Sequence, residues 1–228
     1  MKPVEHLAGS VLFEGLPREQ LEELASLVRE HKFRKGQTLF SEGMRADGLH
    51  VLISGKIKIF KLSLEGKEQI LHIFGPGEVF GEVPVFAGGL YPAHAEALEA
   101  SRSLFLPRVA FIELVQKEPS LALNMLGMLS RRLRRFTHLI EDLSLKEVPG
   151  RLAAYLLYLS GRNTHSNLFE LDITKSQLAS LLGTIPETLS RILAKMSQQE
   201  LIRVEGRRIT ILDREGLENL AAGEKLSA

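Results

Sequence analysis

Residues 174–212 constrain this chain more tightly than any other stretch. Two runs with apolar positions at helical spacing, 175–182 and 187–198, lie back to back. Thr174 stands where a helix N-cap belongs, Gly183 follows the first run as a terminating glycine does, and Pro186 sits at a helix start, where proline is welcome. Two helices joined by so short a connection cross steeply. They need a small residue where they touch and a sharp turn between them. Ala179 and Gly183 supply these, and Leu178, Leu182, Leu189 and Ile192 supply a shared core. Residues 201–204 and 207–212 then flank Glu205-Gly206 as two strands around a turn. The pattern predicts a winged helix-turn-helix.

Such a module meets the major groove through the outward face of its second helix. That face carries Glu187, Thr188, Ser190, Arg191 and Lys195. The whole chain of 228 residues has a net charge of only +1, so no global basic excess points to a polyanion. Within 174–212, however, six cationic side chains (Lys175, Arg191, Lys195, Arg203, Arg207 and Arg208) stand against three anionic ones (Glu187, Glu200 and Glu205). The excess is local and placed for phosphate contact. The expected partner is double-stranded DNA. The interface residues are Lys175, Glu187, Thr188, Ser190, Arg191, Lys195 and Arg207. A helical hairpin used for protein contacts is the competing reading. The cap, turn, proline start and wing together weigh against it.

Upstream, the texture changes twice. Residues 7–31 read as helix, with Leu21, Leu24, Leu27 and Val28 on one face. From 33 to 105, short apolar stretches alternate with glycine turns. Ile57, Ile59 and Leu62 alternate with Lys56, Lys58 and Lys61 as a period-2 strand, and Glu65-Gly66 turns the chain into 69–74. Many short strands with regular turns predict a small antiparallel roll. Residues 109–118 are helical again, and Pro119 opens a longer helix. In it Leu126, Leu129, Leu133, Phe136, Ile140 and Leu143 alternate three and four residues apart, the seam of a coiled coil. Arg131, Arg132, Arg134, Arg135, Glu141 and Asp142 leave only a narrow apolar stripe, which suits a two-helix contact better than burial in a globule. The seam is read as a dimerisation helix, with packing on the chain's own core as the alternative. Residues 146–150 interrupt it, a helix follows over 151–160, 161–167 is a polar loop, and the tail beyond about Leu220 is expected to fray.

The expected fold is therefore α+β. An N-terminal antiparallel β-roll with flanking helices occupies 1–118, a dimerisation helix 119–146, and a winged helix-turn-helix domain 147–228. The chain has no cysteine, which removes disulfides, thiol redox sensing and cysteine-ligated iron–sulfur clusters while leaving histidine-ligated metals and haem open. No apolar run approaches the roughly 18–20 residues that span a bilayer, and the N-terminus lacks the apolar core of a signal peptide. A cytoplasmic protein without a membrane partner is expected. No nucleophile–base constellation, phosphate-cradling glycine loop or metal cluster is present, so no enzyme is expected.

From about Leu12 to Leu217 the chain resembles the CRP/FNR family of bacterial regulators. Residues 34–43 resemble the family's opening strand. Val51-Leu52-Ile53-Ser54-Gly55-Lys56-Ile57 resembles its second glycine turn, and Gly77-Glu78-Val79-Phe80-Gly81-Glu82 its effector-side loop. Glu187-Thr188-Leu189-Ser190-Arg191 matches its recognition core in the FNR-like Glu-x-x-Ser-Arg form. The resemblance implies a cyclic-nucleotide-binding-like roll, a homodimer, RNA polymerase as a partner, and an inverted repeat of TTGA-type half-sites. Pro186 stands where cAMP-responsive members carry an arginine, which leaves the first base position open.

The same resemblance places an effector pocket around Gly81, Glu82, Tyr91 and His94. Cyclic-AMP-binding members hold the phosphate with an Arg-Ser pair. Here the stretch reads Tyr91-Pro92-Ala93-His94, so cAMP is disfavoured. Absence of cysteine excludes the iron–sulfur cluster of the oxygen sensors. Tyr91-Pro92-Ala93 and Leu143-Ser144-Leu145-Lys146 look like the cysteine-poor DNR/HcpR-like branch, whose members respond to nitric oxide and are associated with haem. His72 and His94 are the candidate axial ligands. Two alternatives stand beside this reading: a ligand-independent regulator with an empty roll, and a non-DNA signalling subunit with a small-molecule-binding roll.

Overall fold

The computed structural model describes residues 2–162 and 167–226. The N-terminal part opens with α1 (Pro3–Ala8), a 3-10 turn (Val11–Phe13) and α2 (Arg18–Leu27), followed directly by β1 (Arg29–Phe33). The single helix expected over 7–31 is thus short pieces ended by a strand. Pro17 starts α2 afresh, and Val28 is already extended. Residues 29–33 then pair antiparallel with a distant strand. That pairing partner lies some seventy residues away, so local spacing could not reveal it.

The roll contains β2 (Thr38–Phe40), β3 (Gly48–Ser54), β4 (Ile57–Leu62), β5 (Glu68–Phe74), β6 (Val79–Phe80), α3 (Val83–Ala87), β7 (His94–Ala97) and β8 (Ser101–Pro107). Two four-stranded sheets form it, in the orders β1-β8-β3-β6 and β2-β7-β4-β5. Strand β3 shows why this region reads as continuously apolar. Its residues 48–53 are all buried. Leu49, Val51 and Ile53 join Leu104 and Leu106 against Leu7, Leu12, Leu21, Leu24 and Phe111 of the flanking helical segments, while Leu52 turns to a second cluster with Phe40, Phe74, Phe80 and Tyr91. Gly55 then turns with φ 86°, where a Cβ would stand 2.7 Å from the Ala100 carbonyl oxygen. Only glycine meets both conditions.

The alternation expected for β4 is broken at Lys58. It is buried, paired with Glu68 and 3.4 Å from Glu96, with its ammonium 4.3 Å from the centroid of the Phe60 ring. Glu96 lies directly opposite on β7. A buried lysine requires such partners; cross-strand register supplied Glu96, while Glu68 reaches it from the start of β5, opposite Leu62.

Helix α4 (Arg108–Lys117) leads into α5 (Ser120–Leu145). The chain divides into two compact units at Arg134/Arg135, within α5. The C-terminal unit continues with α6 (Val148–Arg162), β9 (Leu168–Glu170), α7 (Lys175–Leu181), α8 (Pro186–Gln198), β10 (Ile202–Glu205), β11 (Arg208–Ile211) and α9 (Arg214–Ala222). Helix α6 reaches two residues into the expected polar loop, whose residues 163–166 lie outside the described residues. Helix α9 carries the chain two residues past Leu220, about where fraying is expected, to Ala222, with Leu217 and Leu220 buried. Gly150 at the start of α6 lets the Leu220 carbonyl approach to 2.8 Å of where a Cβ would sit. Among the described residues, no helix is long and apolar enough to cross a membrane.

Candidate nucleic-acid interface

The two helices of the C-terminal motif are held by local chemistry. Thr174 caps α7, its hydroxyl accepting from the Gln177 amide at 3.2 Å while Gln177 Oε1 accepts from the Thr174 amide at 2.8 Å. This reciprocal box satisfies two amides that the helix geometry orphans. Gly183 has φ 67°, and the Thr184 amide folds back on the Ala179 carbonyl at 2.9 Å. Pro186 starts α8. Leu178, Ala179, Leu182, Leu189, Leu193 and Met196 form the buried side.

The opposite side of α8 is the candidate interface. Glu187, Ser190 and Arg191 are exposed, and Thr188 and Lys195 are half-buried. Residues 187, 190 and 191 share one face because three- and four-residue steps align on a helix. Arg191 Nη2 lies 3.4 Å from the Thr188 hydroxyl, one turn back. Lys175 is exposed at the start of α7. The wing is one strand wider than the expected hairpin: β11 pairs with β10 on one side and β9 on the other. Three-residue β9 lies next to the polar loop and is too short to carry a periodic signal. Arg207, at the wing tip, donates through Nε to the Leu171 carbonyl at 2.8 Å. It therefore also anchors the wing to the chain after β9.

The residues expected around an effector separate into groups. Gly81 and Tyr91 do come together: a Cβ on Gly81 would stand 3.5 Å from the Tyr91 ring and 3.7 Å from His50. The Tyr91 ring lies parallel to Phe40 at 3.6 Å between centroids. Burial pushes the Tyr91 hydroxyl up to about 12, with a further push from Asp47. Glu82 is buried beneath Arg132, whose Nη2 also donates to the Val79 carbonyl at 2.8 Å and whose guanidinium stands 4.9 Å from the Phe74 ring centroid. Arg132 was expected among the charged residues beside the apolar stripe; the structure turns it inward. His94 makes different contacts, accepting at Nδ1 from the Glu42 amide at 3.4 Å and stacking on Phe60. His72 Nε2 lies 3.3 Å from Glu78.

Among the described residues, the buried histidine is one the sequence did not single out. His50 is 6% exposed, with Nδ1 3.0 Å from the Ser103 hydroxyl and its ring stacked on Phe80 at 4.9 Å. Desolvation, assisted by His31, pushes its pKa down to about 3. The signal available was its place within the continuously apolar run of β3.

Along α5, Leu126, Leu133 and Ile140 are 59%, 68% and 65% exposed, while Leu129, Phe136 and Leu143 are half-buried. Three large apolar side chains at seven-residue intervals thus stand open on one stripe of one helix.

Known proteins resemble the chain over this whole span. Residues 30–118 match the cyclic nucleotide-binding domain family and 150–220 the Crp-like helix-turn-helix domain family. The CRP-like cAMP-activated global transcriptional regulator of Mycobacterium tuberculosis is 33% identical over 217 residues, 93% of this chain and 97% of that protein. The fumarate and nitrate reduction regulatory protein of Escherichia coli K12 is 31% identical over 211 residues, 90% of this chain and 84% of that protein. The structure of FixK2 from Bradyrhizobium japonicum superposes with a TM-score of 0.75 at 25% identity, covering 87% of this chain and 99% of that one.

Proposed function

The chain belongs to the CRP/FNR family of DNA-binding transcription regulators, and from that premise we propose that it acts as a homodimer reading an inverted repeat of TTGA-type half-sites. The observation that carries the proposal is the exposed row Glu187, Ser190 and Arg191 on the second helix of the motif. Arg191 donates two hydrogen bonds to guanine O6 and N7, Glu187 accepts from a cytosine amino group, and Ser190 approaches a thymine. Lys175 and Arg207 contact phosphate. The open stripe on α5 supports the dimer, because two copies cover it mutually and set the spacing of the half-sites. RNA polymerase is the expected partner at the promoter. The test is a mobility shift on an inverted TTGA repeat. Arg191→Ala is expected to weaken binding by about 5- to 150-fold, the value of one bidentate base contact. Equal binding by the two proteins overturns specific readout.

For the roll, two proposals compete. One is nitrosative sensing through haem held by His72 or His94. The side chains as packed do not fit that group. His94 is engaged with Glu42, His72 with Glu78, and the apolar interior is occupied by the stacked rings of Phe40 and Tyr91. No step is derived through haem. The packing favours the other, a ligand-independent roll whose interior is its own aromatic core. The M. tuberculosis relative is described as cAMP-activated. Here Tyr91-Pro92 stands where the resemblance expects the phosphate-holding Arg-Ser pair, which weighs against the same effector. A Soret band after haem reconstitution, lost in His72→Ala or His94→Ala, would overturn the ligand-independent reading.

A further inference from the structure

The three helices that follow the described stretch from β9 onward start in different ways. Helix α7 is capped by Thr174 and α9 by Asp213, whose carboxylate accepts from the Gly216 amide at 3.0 Å. Helix α8 begins after Ile185, in extended conformation, with no capping side chain. Isoleucine is among the poorest N-cap residues, and replacing a capping side chain with an apolar one weakens a helix. Packing does not compensate for this, because Ile185 is 51% exposed. Pro186 beside it is also exposed and has no amide proton to donate. A large apolar side chain therefore stands in solvent, at the expense of a cap, beside the base-reading row Glu187, Ser190 and Arg191.

In the major groove, the only base-edge feature that apolar surface recognises is the thymine C5-methyl group. We propose that Ile185 is a specificity-determining residue that reads a thymine methyl of the half-site. Proline at 186 keeps that corner free of a hydrogen-bond donor that would favour guanine. This inference rests on the DNA reading above, and adds to it a residue and a base atom.

The experiment uses the full-length protein and operator duplexes in which each thymine is replaced in turn by deoxyuridine, which lacks only the methyl. At one half-site position the wild type is expected to lose about fourfold in affinity, the value of burying one methyl-sized group. Ile185→Ala is expected to bind thymine and deoxyuridine operators alike at that position. Ile185→Ser restores a capping oxygen. Its thermal midpoint should equal or exceed that of the wild type while thymine discrimination disappears, which separates folding from readout. The inference is overturned if the wild type binds every deoxyuridine operator as tightly as its thymine parent, or if both variants keep the discrimination. Preference for the TTGA repeat over a scrambled duplex, abolished by Arg191→Ala, shows whether the underlying DNA reading stands when this inference falls. If that preference is missing, both fall.

Discussion

His50 shows how one residue couples the core to solution conditions. Buried between Phe80 and Phe105 and hydrogen-bonded to Ser103, it stays neutral in the folded chain down to about pH 3 instead of its ordinary 6.5. Between those values the unfolded chain binds a proton that the folded chain refuses. Stability is then complete above pH 6.5 and lost as pH falls, by about 1.4 kcal/mol per unit inside the window. Urea midpoints at pH 7.5 and 5 are expected to show this slope in the wild type. It should be markedly flatter in His50→Phe/Ser103→Ala, where the hydroxyl is removed with its partner so that no buried donor is stranded. An equal slope in the two proteins would mean that other groups carry the acid sensitivity.

At the scale of elements, the Arg132–Glu82 pair fixes α5 to the loop after β6. Both side chains are largely withdrawn from water, at 15% and 2% exposed. Such a pair stabilises little relative to well-packed apolar residues, but removing one member strands the other. Arg132→Leu is expected to destabilise by about 3–5 kcal/mol in urea unfolding, and Arg132→Leu/Glu82→Leu to recover most of that loss. Strict additivity of the two single losses would show that the side chains are not coupled. The α7–turn–α8 element lies at the other extreme of legibility. Its cap, turn glycine and proline start act within a few residues of one another, so each was readable locally.

At the scale of the whole molecule, the open stripe on α5 is the surface on which the proposed dimer rests. Phe136→Glu places a charge in the half-buried row of the same seam, beside that stripe, and desolvating it in a dimer would cost far more than leaving it in water. Sedimentation is expected to show a shift toward monomer, with weaker operator binding because each half-site then binds alone. An unchanged dimer would place the contact elsewhere.

By itself the sequence determined the family, the α+β order of roll, long helix and winged motif, and which residues of α8 form its exposed polar face. These depend on local periodicity, caps and turns, and on the seven-residue recurrence along one helix. Only the tertiary structure decided that 29–33 is a strand, that β9 widens the wing, and that Leu220 is core. It also turned Lys58 and Arg132 inward and buried His50. Each of those outcomes depends on a partner distant in the chain: Phe105 for Arg29, Ile209 for Phe169, Gly150 for Leu220, Glu96 for Lys58, Glu82 for Arg132 and Ser103 for His50. The identity of a side chain states which partner it needs; the meeting of sheets and helices states which one it gets.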